Sequence, residues 1–249
     1  MALTDKLTTI ANAIREKTGS TETMTLDAMA TEISNIQTGG SEKTEPYIEE
    51  TYDSRGNLIG AKLVGQSYIR DYAFYNSSKL SNVILPSTIT KIYSNAFSGC
   101  SNLELTSLPS SLIVISSNAF YDCKLLKLTS LPPGVTTINS YAFYNCKSME
   151  LTNLPSEITF IEDYAFDHCS LISINRIPSK IIRIRPNAFN NCTGLISITF
   201  EGTPAFIGSS AFNNCSNLTT INVPWAEGEV ANAPWGATKA TINYNYVES

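Results

Sequence analysis

Histidine occurs once in this chain, at His168, and it stands between Asp167 and Cys169. A cysteine beside a histidine raises the question of a nucleophile with its general base. Adjacent residues on a tight turn point apart, however, so these two side chains lack the reach that such chemistry needs. One histidine with single, evenly spaced cysteines also matches no zinc pattern, whose ligands come in close pairs. A second candidate is Glu227 with Glu229, lying between Trp225 and Trp235, a grouping that imitates the carboxylate pair of a sugar-hydrolysing enzyme. These acids lie past the end of the regular sequence pattern and read as solvated charges. No phosphate-cradling glycine loop and no dinucleotide fingerprint occurs. The expectation is a protein that is not an enzyme and holds neither metal nor cofactor.

The cysteines lead to the organisation of the whole chain. Cys100, Cys123, Cys146, Cys169, Cys192 and Cys215 are 23 residues apart, and each follows by three residues a phenylalanine of an Ala-Phe pair. Those phenylalanines are Phe74, Phe97, Phe120, Phe143, Phe166, Phe189 and Phe212, and Ser77 takes the cysteine place in the first unit. A fixed period of this length specifies a solenoid, in which one turn cannot bury its apolar face alone and must stack on its neighbours. The cysteines are then a ladder of small buried side chains, expected as free thiols rather than disulfides.

Other columns keep the same phase. An isoleucine precedes each phenylalanine by five residues, from Ile69 to Ile207, and an apolar residue follows by six, from Leu80 to Leu218. A third apolar column runs from Leu85 to Val223 and is followed by proline everywhere except at Glu201. Proline there ends a strand without breaking the ladder inside it. The stretch Leu80 to Leu85 and its equivalents is therefore expected to form one strand per turn in a parallel sheet, about 29 Å from the first rung to the last. The Ala-Phe segment reads as a tight helical turn opposite. Units two to five carry Leu105, Leu128, Leu151 and Ile174, whereas units one, six and seven place Val83, Ile198 and Ile221 one column later, so a register change or bulge is expected between these classes. The fold class is an α/β repeat, a solenoid of seven 23-residue turns with a small helical module before it.

That module occupies residues 1–38. Leu3, Leu7, Ile10 and Ile14 form one helical stripe, and Leu26, Met29, Ile33 and Ile36 form a second, with Thr25 as N-cap. Two helices this short have little core of their own and are expected to attach to copies of themselves or to another protein. Residues 39–46 have linker composition. Residues 47–66 read as a hairpin around Asp53-Ser54-Arg55-Gly56-Asn57 that caps the stack, 67–223 as the solenoid, and 224–249, with both tryptophans, as a C-terminal cap.

A formal charge of −5, a pI of about 5.0 and the absence of a basic run argue against a nucleic-acid partner. A mean hydropathy of −0.03 and the lack of any long apolar run argue against membrane insertion, and the first residues show no leader. What remains is recognition. Strand positions between the core columns, among them Glu104, Lys127, Glu150, Asn175 and Arg176, form a face of hydroxyls, amides and mixed charge. Such a face suits glycans or protein loops, and equally suits plain solvation. Tyrosine is less ordinary: Tyr75, Tyr121, Tyr141, Tyr144 and Tyr164 fall in the first five units, with Tyr121 and Tyr144 in one column and Tyr141 and Tyr164 in another. These rings serve either a recognition surface or the bracing of neighbouring turns.

The unit Ala-Phe-x-x-Cys-x-x-Leu, followed by an apolar strand ending in Leu-Pro, resembles the BspA-like, Treponema-type leucine-rich repeats of bacteria, over Ile69 to about Val223. It departs from the familiar leucine-rich pattern in placing the cysteine before the strand. The stretches Ala11 to Gly19 and Met24 to Asp27 are similar to a short N-terminal module of accessory virion proteins of phages of Gram-positive hosts, and the Val-Pro-Trp and Ala-Pro-Trp-Gly ending to tails of repeat proteins in that setting. The resemblance implies a virion protein, in the tail, baseplate or fibre, whose solenoid binds a host surface glycan or protein and whose residues 1–38 join other virion proteins or form a homo-oligomer. The alternatives are an adhesin on a bacterial cell surface and an intracellular interaction scaffold.

Overall fold

The computed structural model describes residues 46–247, all within the unit Pro46–Ser249. The helical module expected over 1–38, with its attachment residues Leu3, Leu7, Ile10, Ile14, Leu26, Met29, Ile33 and Ile36, lies outside the described residues. The described chain is a solenoid of short strands and tight turns, and it contains no helix.

Buried columns, one residue per turn, line its interior. The phenylalanine rings stack face to face from Phe74 to Phe212, with centroids 5.1–5.6 Å apart and planes within 12° of parallel. The isoleucines at Ile69 to Ile207 and the cysteines are buried beside them. A further buried column, Ile89, Leu112, Val135, Ile158 and Ile181, starts where the chain turns after each proline, its N–H donating to the proline carbonyl three residues back.

The Ala-Phe segment is not the helical turn that its short apolar spacing predicts. Alternate N–H groups leave for the next turn: Phe97 donates to Ala119 and Gly99 to Tyr121, while Ser98 and Cys100 bond within their own turn to Asn95 and Phe97. A helix needs every N–H for itself. Two left-handed residues in each of the first six turns complete the break, at columns such as Asn95 with Gly99 and Asn118 with Asp122, and the seventh turn keeps one, Asn214. Asparagine and glycine tolerate that conformation, which explains their recurrence there.

The long parallel sheet also differs from expectation. Its seven strands are two residues each and lie on the isoleucine column, from Tyr68–Ile69 through Val114–Ile115 to Phe206–Ile207. On the expected column only Asn82–Ile84, Arg176–Ile177, Ser197–Phe200 and Thr220–Asn222 are strands. The two leucine classes account for this. Ile198 and Phe200 alternate at a spacing of two and bury together, as a strand requires. Leu128 and Leu131 both bury at a spacing of three, which no regular strand allows. The intervening chain stays extended and keeps single bonds, such as Lys127 N–H to Leu105 O at 2.9 Å.

At the N-terminal end, Tyr47–Tyr52 pairs antiparallel with Leu58–Val64, whose Gly60–Lys62 pairs parallel with Asn82–Ile84. The Asp53 carboxylate closes the loop by accepting from the Arg55 and Asn57 N–H groups at 2.9 Å and from Asn57 Nδ2 at 2.8 Å, which holds its pKa below the usual carboxylate range. At the other end the tail forms an eighth turn. Thr241–Asn243 pairs parallel with Thr220–Asn222, the Trp235 carbonyl accepts the Phe212 N–H at 2.9 Å, and Asn232 and Gly236 repeat the left-handed pair. Gly236 follows Asn214 by 22 residues, one short of the period, which hides this turn from an alignment on 23.

Candidate functional site

The structure brings four of the candidate tyrosines together on the turns. Tyr121 stacks on Tyr144 and Tyr141 on Tyr164, each pair with ring centroids 4.7 Å apart and planes within 8° of parallel. The pairs touch crosswise, Tyr141 to Tyr144 at 5.8 Å and to Tyr121 at 6.4 Å. All four rings are half-buried, so the cluster stands on the surface and the core continues beneath it. Burial, then the neighbouring phenols and aspartates, push the Tyr141 and Tyr144 pKa values up, and their hydroxyls remain donors at neutral pH. Tyr75 does not join this group. It meets Tyr72 at 5.4 Å on the first turn, and the second turn puts Asn95 and Ser98 in the corresponding columns.

Tyr141 and Tyr164 both adopt φ of 57°, where Asn95, Asn118 and Asn187 stand in the same column of other turns. A bulky residue held there is strained by about 1–3 kcal/mol. The fourth and fifth turns thus keep a ring where asparagine fits better, as the first does at Tyr72 with φ of 58°.

His168 borders the cluster, its ring 5.6 Å from Tyr144. Its Nδ1 lies 2.7 Å from Asp167 Oδ1, off the line of a hydrogen bond. The buried Asp167 carboxylate also accepts from Asn190 Nδ2 at 3.0 Å and Asn191 Nδ2 at 3.4 Å. Cys169 turns the other way and donates its thiol to the Phe143 carbonyl at 3.0 Å, so histidine and cysteine form no catalytic pair. Every cysteine makes the equivalent bond, at 3.0–3.2 Å, to the phenylalanine carbonyl 26 residues earlier. All six are free and buried, and burial pushes the Cys100 and Cys215 thiols up to about 12. Glu227 and Glu229 are exposed, whereas Trp225 and Trp235 pack inward against Phe200. No group of three or more potential metal ligands occurs among the described residues.

The strand-side candidates do not converge on one site. Lys127 Nζ lies 2.7 Å from Glu104 Oε2, and Arg176 Nη1 lies 3.5 Å from Glu201 Oε1. Glu150 and Asn175 are exposed. A groove of about 410 Å³ borders Glu104, between Ile84 and Leu105, where the two strand classes meet. A second groove, of about 480 Å³, was not among the candidates. It is lined by Asn191, Asn213, Asn214, Ser216, Thr238 and Lys239 over the last turns. Its sequence signal is the replacement of tyrosine by paired asparagines in units six and seven.

This architecture is that of a leucine-rich-repeat solenoid, and the family of the chain follows from its sequence. It belongs to the BspA type leucine rich repeat family, whose pattern matches residues 67–176 and 126–232 in six copies. Two solved structures are similar. A leucine rich repeat protein of T. pallidum shares 23% identity with a TM-score of 0.56, covering 69% of this chain and 88% of that one. A leucine rich cell surface protein of Faecalibacterium prausnitzii shares 28% identity with a TM-score of 0.51, covering 63% of this chain. The chain spans about half, 52%, of that second protein's length. No match is found among curated proteins.

Proposed function

We propose that this protein is a non-enzymatic recognition module that works at a cell surface and binds its partner, a surface glycan or protein, on the turn face of the solenoid. The observation that carries this reading is the four-tyrosine cluster, in which two rings are kept in a strained backbone conformation that asparagine relieves elsewhere in the same column. Strain retained at an exposed aromatic patch points to use of the patch and not to packing. Half-buried tyrosines give a partner apolar area and a hydroxyl at little entropic cost. The likeness to a protein described as a cell-surface one favours a bacterial adhesin over the virion reading. The tail that resembled phage repeat proteins is accounted for as the eighth turn, and the module that resembled a virion attachment piece lies outside the described residues. Single contacts on such a face are weak, and display in many copies strengthens them through effective concentration.

The test is binding of the labelled full chain to cultured epithelial cells and, separately, to Gram-positive bacterial cells. A variant carrying Tyr121→Ser, Tyr141→Asn, Tyr144→Ser and Tyr164→Asn uses residues that other turns already place in those columns. Loss of most cell binding with unchanged circular dichroism supports the reading, and binding equal to the parent protein rejects it. Epithelial binding supports the adhesin, and bacterial binding alone returns the virion reading to favour.

A further inference from the structure

The tyrosine cluster continues into the amide groove. Tyr144 meets His168, His168 Nε2 lies 3.3 Å from Asn191 Nδ2, and Asn191 lines the groove. A second chain of amides runs alongside: Asn190 Nδ2 donates to Asp167, and Asn214 Nδ2 donates to Asn190 Oδ1 at 3.1 Å. From Tyr121 to Thr238 the turn face is thus one strip along the solenoid axis, rings first and amides after.

We propose that this strip is a binding track for a neutral polysaccharide laid along the axis, with its apolar ring faces on the tyrosines and its hydroxyls in the amide groove. The proposal rests on the reading of the turn face as the recognition surface. Three observations favour this ligand. The carboxylates near the rings already have partners: Asp122 lies 3.4 Å from Lys124, Asp163 lies 3.3 Å from Arg185, and Asp167 holds two asparagines and His168. No carboxylate beside the rings is left without a donor, so none of them offers a bare acid to a cationic ligand. The groove is lined mainly by amides and hydroxyls, with Lys239 as its one charged side chain and no leucine, isoleucine, valine or aromatic ring, so an apolar anchor from a protein partner has no seat there. Amides offer a donor and an acceptor side by side, which is the pattern a sugar diol requires. The ladder supplies the third observation, because stacked rings 4.7 Å apart repeat at close to the rise of one sugar unit in an extended chain, so neighbouring sugars can each meet a ring before the chain passes to the amides.

The experiment is titration calorimetry of the full chain with neutral linear oligosaccharides of graded length, in the cello-, malto-, xylo- and manno-series. Affinity for at least one series is expected to rise with chain length. The paired variant Asn191→Gly with Asn214→Gly removes two amides and keeps the left-handed backbone, as Gly99 does natively in that column. It is expected to weaken binding by about tenfold, from two lost hydrogen bonds of modest net worth. A second variant, Thr238→Val with Lys239→Ala, alters the groove wall at ordinary backbone positions and should weaken binding in the same direction. Failure of every series to bind, or binding untouched by both variants, overturns the proposal. Periodate treatment of the cells in the adhesion assay separates the two readings. Cell binding that survives periodate but is lost in the tyrosine variant removes the saccharide and leaves the recognition face standing. Cell binding retained by the tyrosine variant removes the face itself.

Discussion

A tyrosine in the left-handed region is a local cost that the surrounding turn must hold in place. Tyr141→Asn and Tyr164→Asn place in that position the residue that Asn118 and Asn187 show it accepts. Relief of about 1 kcal/mol per site corresponds to a gain of about 2–4 °C in a domain of this size, offset in part by the lost ring stacking. The expected outcome is a melting temperature equal to or above that of the parent, and a drop of several degrees would show that the rings brace the turns. The buried thiols make stability depend on pH. Burial raises their pKa from 9.0 to about 12 at Cys100 and Cys215, so the folded protein holds protons that the unfolded chain releases. Stability from this source is complete below pH 9.0 and is lost as pH rises from there toward 12. Melting temperature should fall above pH 9, with thiolate absorbance appearing only as the circular dichroism signal is lost. Alkylation should label none of the six cysteines in the native state and all six after denaturation without reductant.

Within each turn, period and packing are legible in the sequence, and backbone state is not. The phenylalanine, isoleucine and cysteine columns follow from spacing alone because each is buried at every turn. What spacing cannot give is which N–H groups bond within a turn and which bond across the stack. The Ala-Phe segment therefore read as helical, although the asparagines at Asn95, Asn118 and Asn187 carried the sign of a left-handed residue. The strand column misled for a related reason. Apolar residues at Leu128 and Leu131 mark burial, but their odd spacing forbids a ladder, and the continuous sheet forms one column over on residues such as Thr137–Ile138. For the candidate surface, column spacing told which tyrosines share a face, whereas the asparagine groove looked like turn chemistry alone. The phenylalanine stack is the element on which the turns depend most. Phe143 is fully buried between Phe120 and Phe166, and Phe143→Ala should cost about 3–5 kcal/mol in urea unfolding. Phe74→Ala, stacked on one side only and 3% exposed, should cost less.

As a whole molecule the solenoid has stability that is close to a sum of turns and of the interfaces between them, so its ends decide whether it stays soluble. The eighth turn buries Trp235 and Trp225 at 6.2 Å from each other, and both pack on Phe200, at 6.4 and 5.2 Å. A chain ending at Val223 loses both tryptophans and bares Phe200 and the end of the phenylalanine stack at Phe212. It should aggregate, as seen by light scattering after size exclusion, because an unpaired apolar end is a site for further stacking. Removal of residues 1–45 should act differently. The unit Pro46–Ser249 carries the whole of the described core, and the hairpin Tyr47–Tyr52 with Leu58–Val64 closes its first turn. A chain starting at Pro46 should therefore melt within a few degrees of the full chain and run as a monomer. The full chain, with the apolar stripes at Leu3 to Ile14 and Leu26 to Ile36, should run as an oligomer. If the shortened chain keeps the full chain's assembly state, the stripes are not the attachment device and multivalent display has to arise elsewhere. If it loses assembly and also loses cell binding while still binding its ligand in solution, then avidity carries the adhesion and the turn face needs many copies to hold a surface.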